Sequence, residues 1–228
     1  MAHVWGEDAP RLFDVTVSHA QAVRDVVRYA AAQRVPARAA VAALGSAPVR
    51  FPALSLDIGG QAVPVMQSDV GYLLLFGKPA PRDLEHLVKT LLRPFPAGLM
   101  TGAGMVVANA VFAPPALQRE FTRHAYQGAV VWSWQQALFA AGLARQLRRT
   151  DLPVAVRSSL RAAQRTLWRA IEATRSMANT ELWSWTYSGG RYHIRPFGSE
   201  SSDATEADAA QLWSTVYLAV KPPPGLLH

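Results

Sequence analysis

Glu181 is the residue whose neighbours most invite chemistry. It stands in the run Asn179-Thr180-Glu181-Leu182-Trp183-Ser184-Trp185, a lone carboxyl group among largely apolar and aromatic side chains. A second aromatic cluster follows the same pattern upstream, with Tyr126, Gln127, Trp132 and Trp134 close together. Sugar rings expose patches of C–H surface that pack on aromatic faces, and their hydroxyls need fixed amide and carboxylate partners. The mixture therefore suits a carbohydrate cleft, with Trp132, Trp134, Trp183 and Trp185 as platforms and Tyr126, Gln127 and Asn179 as polar partners. Tryptophans also fill cores, and Trp168 and Trp213, which fall inside helical runs, are expected to do so. For Glu181 the structural alternative is a residue that caps or bridges near a turn.

The other carboxylates are weaker candidates. Asp69, Glu200, Asp203, Glu206 and Asp208 sit in polar or helix-start contexts where acidic residues are common. The six histidines are scattered; His124 is placed to line a pocket, but no pair has metal-ligand spacing. The spacing of residues matches no phosphate loop, zinc-hydrolase helix or nucleophile elbow, and Gly102-Ala103-Gly104 lacks the strand context and third glycine of a dinucleotide site. No metal or cofactor is expected.

Helices of two kinds are expected to position these residues. Over 151–176, Val156, Leu160, Ala163, Leu167 and Ile171 recur at spacings of three and four, which predicts a helix with one wet face. The runs 19–34 (Val23, Val26, Val27, Ala30) and 82–92 (Leu84, Leu87, Val88, Leu91) behave alike, the latter started by Pro81. By contrast 131–147 is apolar nearly all round and must be covered on several sides. So are 209–220, with Thr205 as N-cap, and 71–76, started through Ser68 and Asp69. Outer and inner helices thus alternate along the chain, which predicts an all-α, double-layered array of helical hairpins; periodicity alone also allows an irregular helical bundle or solenoid. The array's long connections, 94–130 and 177–204, would gather at one end. Within the second, 182–187 and 191–196 flank Ser188-Gly189-Gly190 and predict a small β-hairpin.

Composition bounds the rest. A chain of 228 residues, half of them hydrophobic, buries roughly 70% of its unfolded surface and needs no disulfide or metal for a core. One domain over 1–228 is expected, with 1–60 as peripheral helices. There is no cysteine, so disulfides, thiolate metal sites and cysteine nucleophiles are excluded. No membrane-spanning run or signal-peptide core is evident, which favours a soluble, cytoplasmic chain with no membrane partner. The net charge of +7 raises a nucleic-acid reading. All but three of the 23 basic residues are Arg, however, and they are scattered. Arg157, Arg161, Arg165 and Arg169 line one side of a helix as an ordinary solvated face would, so no nucleic-acid partner is expected.

The order of several segments resembles the C-terminal half of the six-hairpin glycosidases, a superfamily that includes trehalases, processing α-glucosidases and glycogen-debranching enzymes. The segments are Pro64-Val65; Pro96-Ala97-Gly98-Leu99-Met100-Thr101; Tyr126-Gln127-Gly128 with Val131-Trp132-Ser133-Trp134-Gln135; Asn179-Thr180-Glu181; and Thr205-Glu206-Ala207-Asp208-Ala209-Ala210-Gln211-Leu212-Trp213. They span most of 60–222. The resemblance implies a partial (α/α) toroid of three hairpins and inverting hydrolysis of O-glycosidic bonds, α-glucosides or related oligosaccharides being the expected substrates. Inversion needs one carboxylic acid to protonate the leaving oxygen and one carboxylate to activate water. Glu181 matches the superfamily's general base; the general acid lies upstream in a half of the toroid that precedes this chain.

Closure of such a ring needs six hairpins. The resemblance therefore implies a fragment of a larger glycosidase, or self-association that completes the ring. Gln127 departs from relatives that carry His after the Tyr. A non-catalytic carbohydrate-binding or assembly module derived from a glycosidase is the alternative expectation.

Overall fold

The computed structural model describes residues 13–177, 179–198 and 219–226. Their elements run β1 (Asp14–Val17), α1 (His19–Gln33), α2 (Arg38–Leu44), β2 (Val49–Pro52), β3 (Met66–Gln67), α3 (Val70–Phe76) and α4 (Pro81–Leu91). Then come β4 (Met100–Thr101), β5 (Gly104–Met105), β6 (Ala108–Asn109), α5 (Pro115–Glu120), β7 (Val131–Trp132), α6 (Ser133–Leu147), α7 (Val154–Ala173), β8 (Leu182–Ser188) and β9 (Arg191–Pro196). The strands pair antiparallel as β1-β2, β3-β6, β4-β5 and β7-β8-β9. The fold is mixed α/β; the all-α array expected from periodicity, and the partial toroid of hairpins that the resemblance implied, are overturned.

The physical reason lies in the connection 94–130. Phe95, Ala97, Leu99, Met100, Ala103, Met105 and the run from Val106 to Val111 are buried. A buried backbone must satisfy its N–H and C=O groups within the protein. This connection does so with short ladders: Thr101 opposite Gly104, Met66 opposite Asn109, and the bridge from Val106 to Val131. Asn109 adds side-chain bonds, its amide donating to the carbonyls of Pro96 and Gly98 at 2.9 and 2.8 Å. Residues 13–60 are not helices alone, since β1 and β2 pair in the register Asp14–Pro52 to Val17–Val49, with α1 and α2 between them in the chain.

Helix positions follow the apolar stripes. On α1, Ala22, Val26, Tyr29 and Ala30 are buried; Ser18 caps its start, and Arg34 ends it at φ 56°. Val156, Leu160, Leu167 and Ile171 form the buried side of α7, which packs on α4 and α6. Ser159 Oγ donates to Glu85 Oε1 at 2.6 Å across the α4–α7 contact; the Lys89 ammonium and this hydroxyl hold Glu85 below the usual carboxylate range. Arg161, Arg165 and Arg169 are exposed. Arg157 instead donates to the carbonyls of Leu147 and Arg149 at the end of α6, so the basic face is one residue shorter than the spacing suggested. The third inner run, 209–220, lies mostly outside the described residues, as do Thr205, Trp213, Glu200, Asp203, Glu206 and Asp208.

The tightest helix pair is α3 against α6. They cross where Gly71 and Gly142 remove both side chains: a Cβ on Gly142 would lie 2.6 Å from Leu74 Cβ and 3.2 Å from Gly71 O. In an isolated helix Gly→Ala gains about 1 kcal/mol, whereas overpacking costs about 1–3 kcal/mol. Gly142→Ala should therefore lower the denaturant midpoint of unfolding; a raised midpoint would show that the helices do not meet this way. The few polar side chains of α6 tether its neighbours. Arg145 and Gln146 donate to the last carbonyls of α3, at Leu74, Leu75 and Gly77, and Gln136 Oε1 accepts from Met105 N–H at 3.0 Å.

Candidate functional site

The start of α6 organises the site. Its first N–H groups have no partner within the helix. Ser133 N–H donates to the Glu181 carbonyl at 3.0 Å, and Ser133 Oγ donates to the same oxygen at 3.3 Å. This docks the start of β8 beside β7, in the register Val131–Trp183 and Trp132–Leu182. Glu181 is thereby held at the head of α6 with 0% exposure.

Its carboxyl group meets Tyr126. The phenol donates to Oε1 at 2.5 Å, and Oε2 has no hydrogen-bond partner among the described residues. Buried polar atoms are normally satisfied, so an orphaned carboxyl oxygen is a departure that asks for a reason. Tyr126 is fixed in turn: its carbonyl accepts from Trp132 Nε1 at 3.0 Å, and its ring meets Trp132 edge-on at 4.7 Å. The turn that carries it closes through Gly128, where a Cβ would lie 2.0 Å from the Thr122 carbonyl oxygen.

Aromatic contacts extend outward from this pair. Trp132 meets Trp134 at 5.8 Å, Trp134 meets Tyr72 at 6.2 Å, and Tyr72 stacks on Phe76 at 6.3 Å and 19°. Phe197 closes the other side of Tyr126 at 6.2 Å. A row of rings thus runs from Phe76, 72% exposed, through Tyr72, 44% exposed, to the enclosed carboxyl group of Glu181. Gln135 ties in a second carboxylate: its Oε1 accepts from Ser68 Oγ at 2.7 Å, and its Nε2 donates to Asp69 Oδ1 at 2.6 Å. Asp69 is exposed and also acts on Tyr72, whose hydroxyl is held above its ordinary range by burial and then by the Asp69 charge.

The expected site residues divide into three groups. Glu181, Tyr126, Trp132 and Trp134 come together as described. Gln127 and Asn179 lie on exposed turns near by, and no contact brings either to the carboxyl group. Trp183 and Trp185 point to the side of β8 opposite Leu182 and its partner Trp132, as the two-residue period requires, and are fully buried in the main core. Their indoles donate to the carbonyls of Ala103 and Ala129, both at 2.7 Å. Arg123 covers the Trp185 ring at 5.7 Å, while Phe95 and Tyr192 meet it edge-on. A platform needs an open face, so the expected platform role for these two is corrected to a core role. His124 lines a small surface pocket beside Ser184, Trp185 and Arg195, away from the Glu181 carboxyl group.

Sequence reasoning missed Tyr72, Phe76 and Gln135 as site residues. Tyr72 follows Asp69 by three positions in one short helical run, the spacing that places two residues on one face. Among the described residues no group of three His, Cys, Asp or Glu could hold a metal ion, and no helix is long and apolar enough to cross a membrane. The chain matches no protein-family model and no curated protein.

Proposed function

We propose that this chain carries a glycoside-hydrolase site in which Glu181 is the general base of an inverting reaction. The observation that carries the reading is the Glu181 carboxyl group: buried, oriented through one oxygen by Tyr126, its other oxygen unpartnered, and reached by a row of aromatic rings from the surface. Oε2 takes a proton from water as the water oxygen bonds to the anomeric carbon, and the leaving group departs from the opposite face with the bonding electron pair. Tyr126 keeps the carboxyl plane aimed throughout. The general acid that protonates an ordinary leaving oxygen is supplied from outside this chain.

That last point selects the substrate for a test. Fluoride leaves without prior protonation, so a glycosyl fluoride needs the base and not the acid. α-D-Glucosyl fluoride, followed by the mannosyl and galactosyl fluorides, should release fluoride with the chain, and proton NMR of the first product formed should show the inverted anomer. Retention would overturn the inverting mechanism. Fluoride release no faster than the blank with all three would overturn the hydrolase reading.

The full enclosure of Glu181, beside aromatic rings that remain open, favours one second reading. It is a carbohydrate-binding module that keeps the aromatic row and performs no chemistry. Saccharide binding without turnover of any of the three fluorides is its signature.

A further inference from the structure

Resting on the carbohydrate reading above, we infer that Asp69, Tyr72 and Phe76 form an outer subsite for further sugar rings, so that the ligand is an oligosaccharide chain rather than a simple glycoside.

Tyr72 and Phe76 sit four positions apart on α3, and their rings lie within 19° of parallel, 6.3 Å between centroids. They are two of the five large hydrophobic side chains that stand exposed among the described residues. Large exposed aromatics that lie together, rather than scattered singly, mark contact surfaces. On the rest of α3, Val70, Gly71 and Leu74 are buried and Leu73 and Leu75 are half-buried. The open apolar surface is narrow: the outward face and edges of two stacked rings. Such a pair can pack against the C–H faces of sugar rings laid along it.

Polar recognition comes from Asp69. One of its oxygens is fixed by Gln135 Nε2 at 2.6 Å, and the residue is exposed, so it can accept hydrogen bonds from sugar hydroxyls beside the aromatic strip. Continuity supplies the third argument. Tyr72 meets Trp134, and Trp134 leads through Trp132 to Tyr126 and Glu181. A chain with one ring near Glu181 would lay its next rings along this row.

Calorimetric titration of the full chain with maltose against maltoheptaose, and with cellobiose against cellopentaose, tests the inference without depending on turnover. In one of the two series the longer saccharide should bind about tenfold more tightly than the shorter, the scale of one to two aromatic contacts. The Tyr72→Ala/Phe76→Ala variant should bring the longer saccharide to the level of the shorter and leave the shorter unchanged. Asp69→Asn, a near-isosteric change at an exposed position, should weaken the longer saccharide alone. Affinity independent of length overturns the subsite and leaves the Glu181 reading standing. No binding of any of the four overturns the subsite, and the fluoride assay decides the Glu181 reading separately. Loss of a dimer in the double variant, seen by sedimentation with saccharide affinity unchanged, would assign the strip to a second copy of this chain and overturn the subsite.

Discussion

Glu181→Gln should lower kcat on the responsive glycosyl fluoride by about 10²–10⁴-fold, with KM nearly unchanged. The amide keeps the shape of the side chain and retains an oxygen to accept the Tyr126 hydroxyl, so the site geometry survives. What disappears is the oxygen that takes a proton from water. The same change should leave the melting temperature equal or higher, because it removes an ionisable group buried with a single hydrogen bond. A site residue held for function commonly carries such a stability penalty. A structural Glu181, bonded only to anchor Tyr126, would show the reverse pattern: kcat unchanged. Fluorescence melting and steady-state kinetics on one preparation distinguish the two, and unchanged kcat sinks the base assignment.

Trp183→Ala should destabilise the protein by about 3–5 kcal/mol, the usual cost of emptying a buried aromatic site. That is a large share of the roughly 5–15 kcal/mol by which a domain is stable. Removing the indole also leaves the Ala103 carbonyl without the donor now 2.7 Å away. Trp134→Ala should behave differently, since Trp134 lies at the head of α6 with part of its surface open, between Tyr72 and Trp132. Its loss should cost clearly less stability, measured by urea unfolding, and should weaken saccharide binding. Equal destabilisation by the two variants would show that Trp134 is core as well, and would break the aromatic row on which the carbohydrate reading rests.

These two tryptophans also show where a one-dimensional reading stops. Both belong to aromatic clusters, and residue type gives them the same prospects. Trp183 and Trp185 share one face of β8 by alternation, but which face meets the core depends on β7 pairing alongside. Glu181 stood out in the sequence as a lone carboxyl group in an aromatic run. Its bond to Tyr126, 55 positions away, did not. Asp69, Tyr72 and Gln135 illustrate the same limit: they meet because Gly71 and Gly142 let α3 and α6 close together, a contact between residues 71 positions apart.

The sequence by itself determined the local elements, because they depend on spacing and on a few backbone preferences. The stripes of α1, α4 and α7, the all-round apolar α6 and the β8–β9 turn at Gly189 and Gly190, both at positive φ, are of this kind. Tertiary structure alone decided the fold class and the composition of the site. In the connection 94–130, burial obliges the backbone to pair with distant segments, and such pairing leaves no periodic trace in a run of two-residue strands. The orphaned oxygen of Glu181 has the same origin. Whether a buried group is satisfied depends on every element that closes around it, here α6, β8 and the Tyr126 turn together.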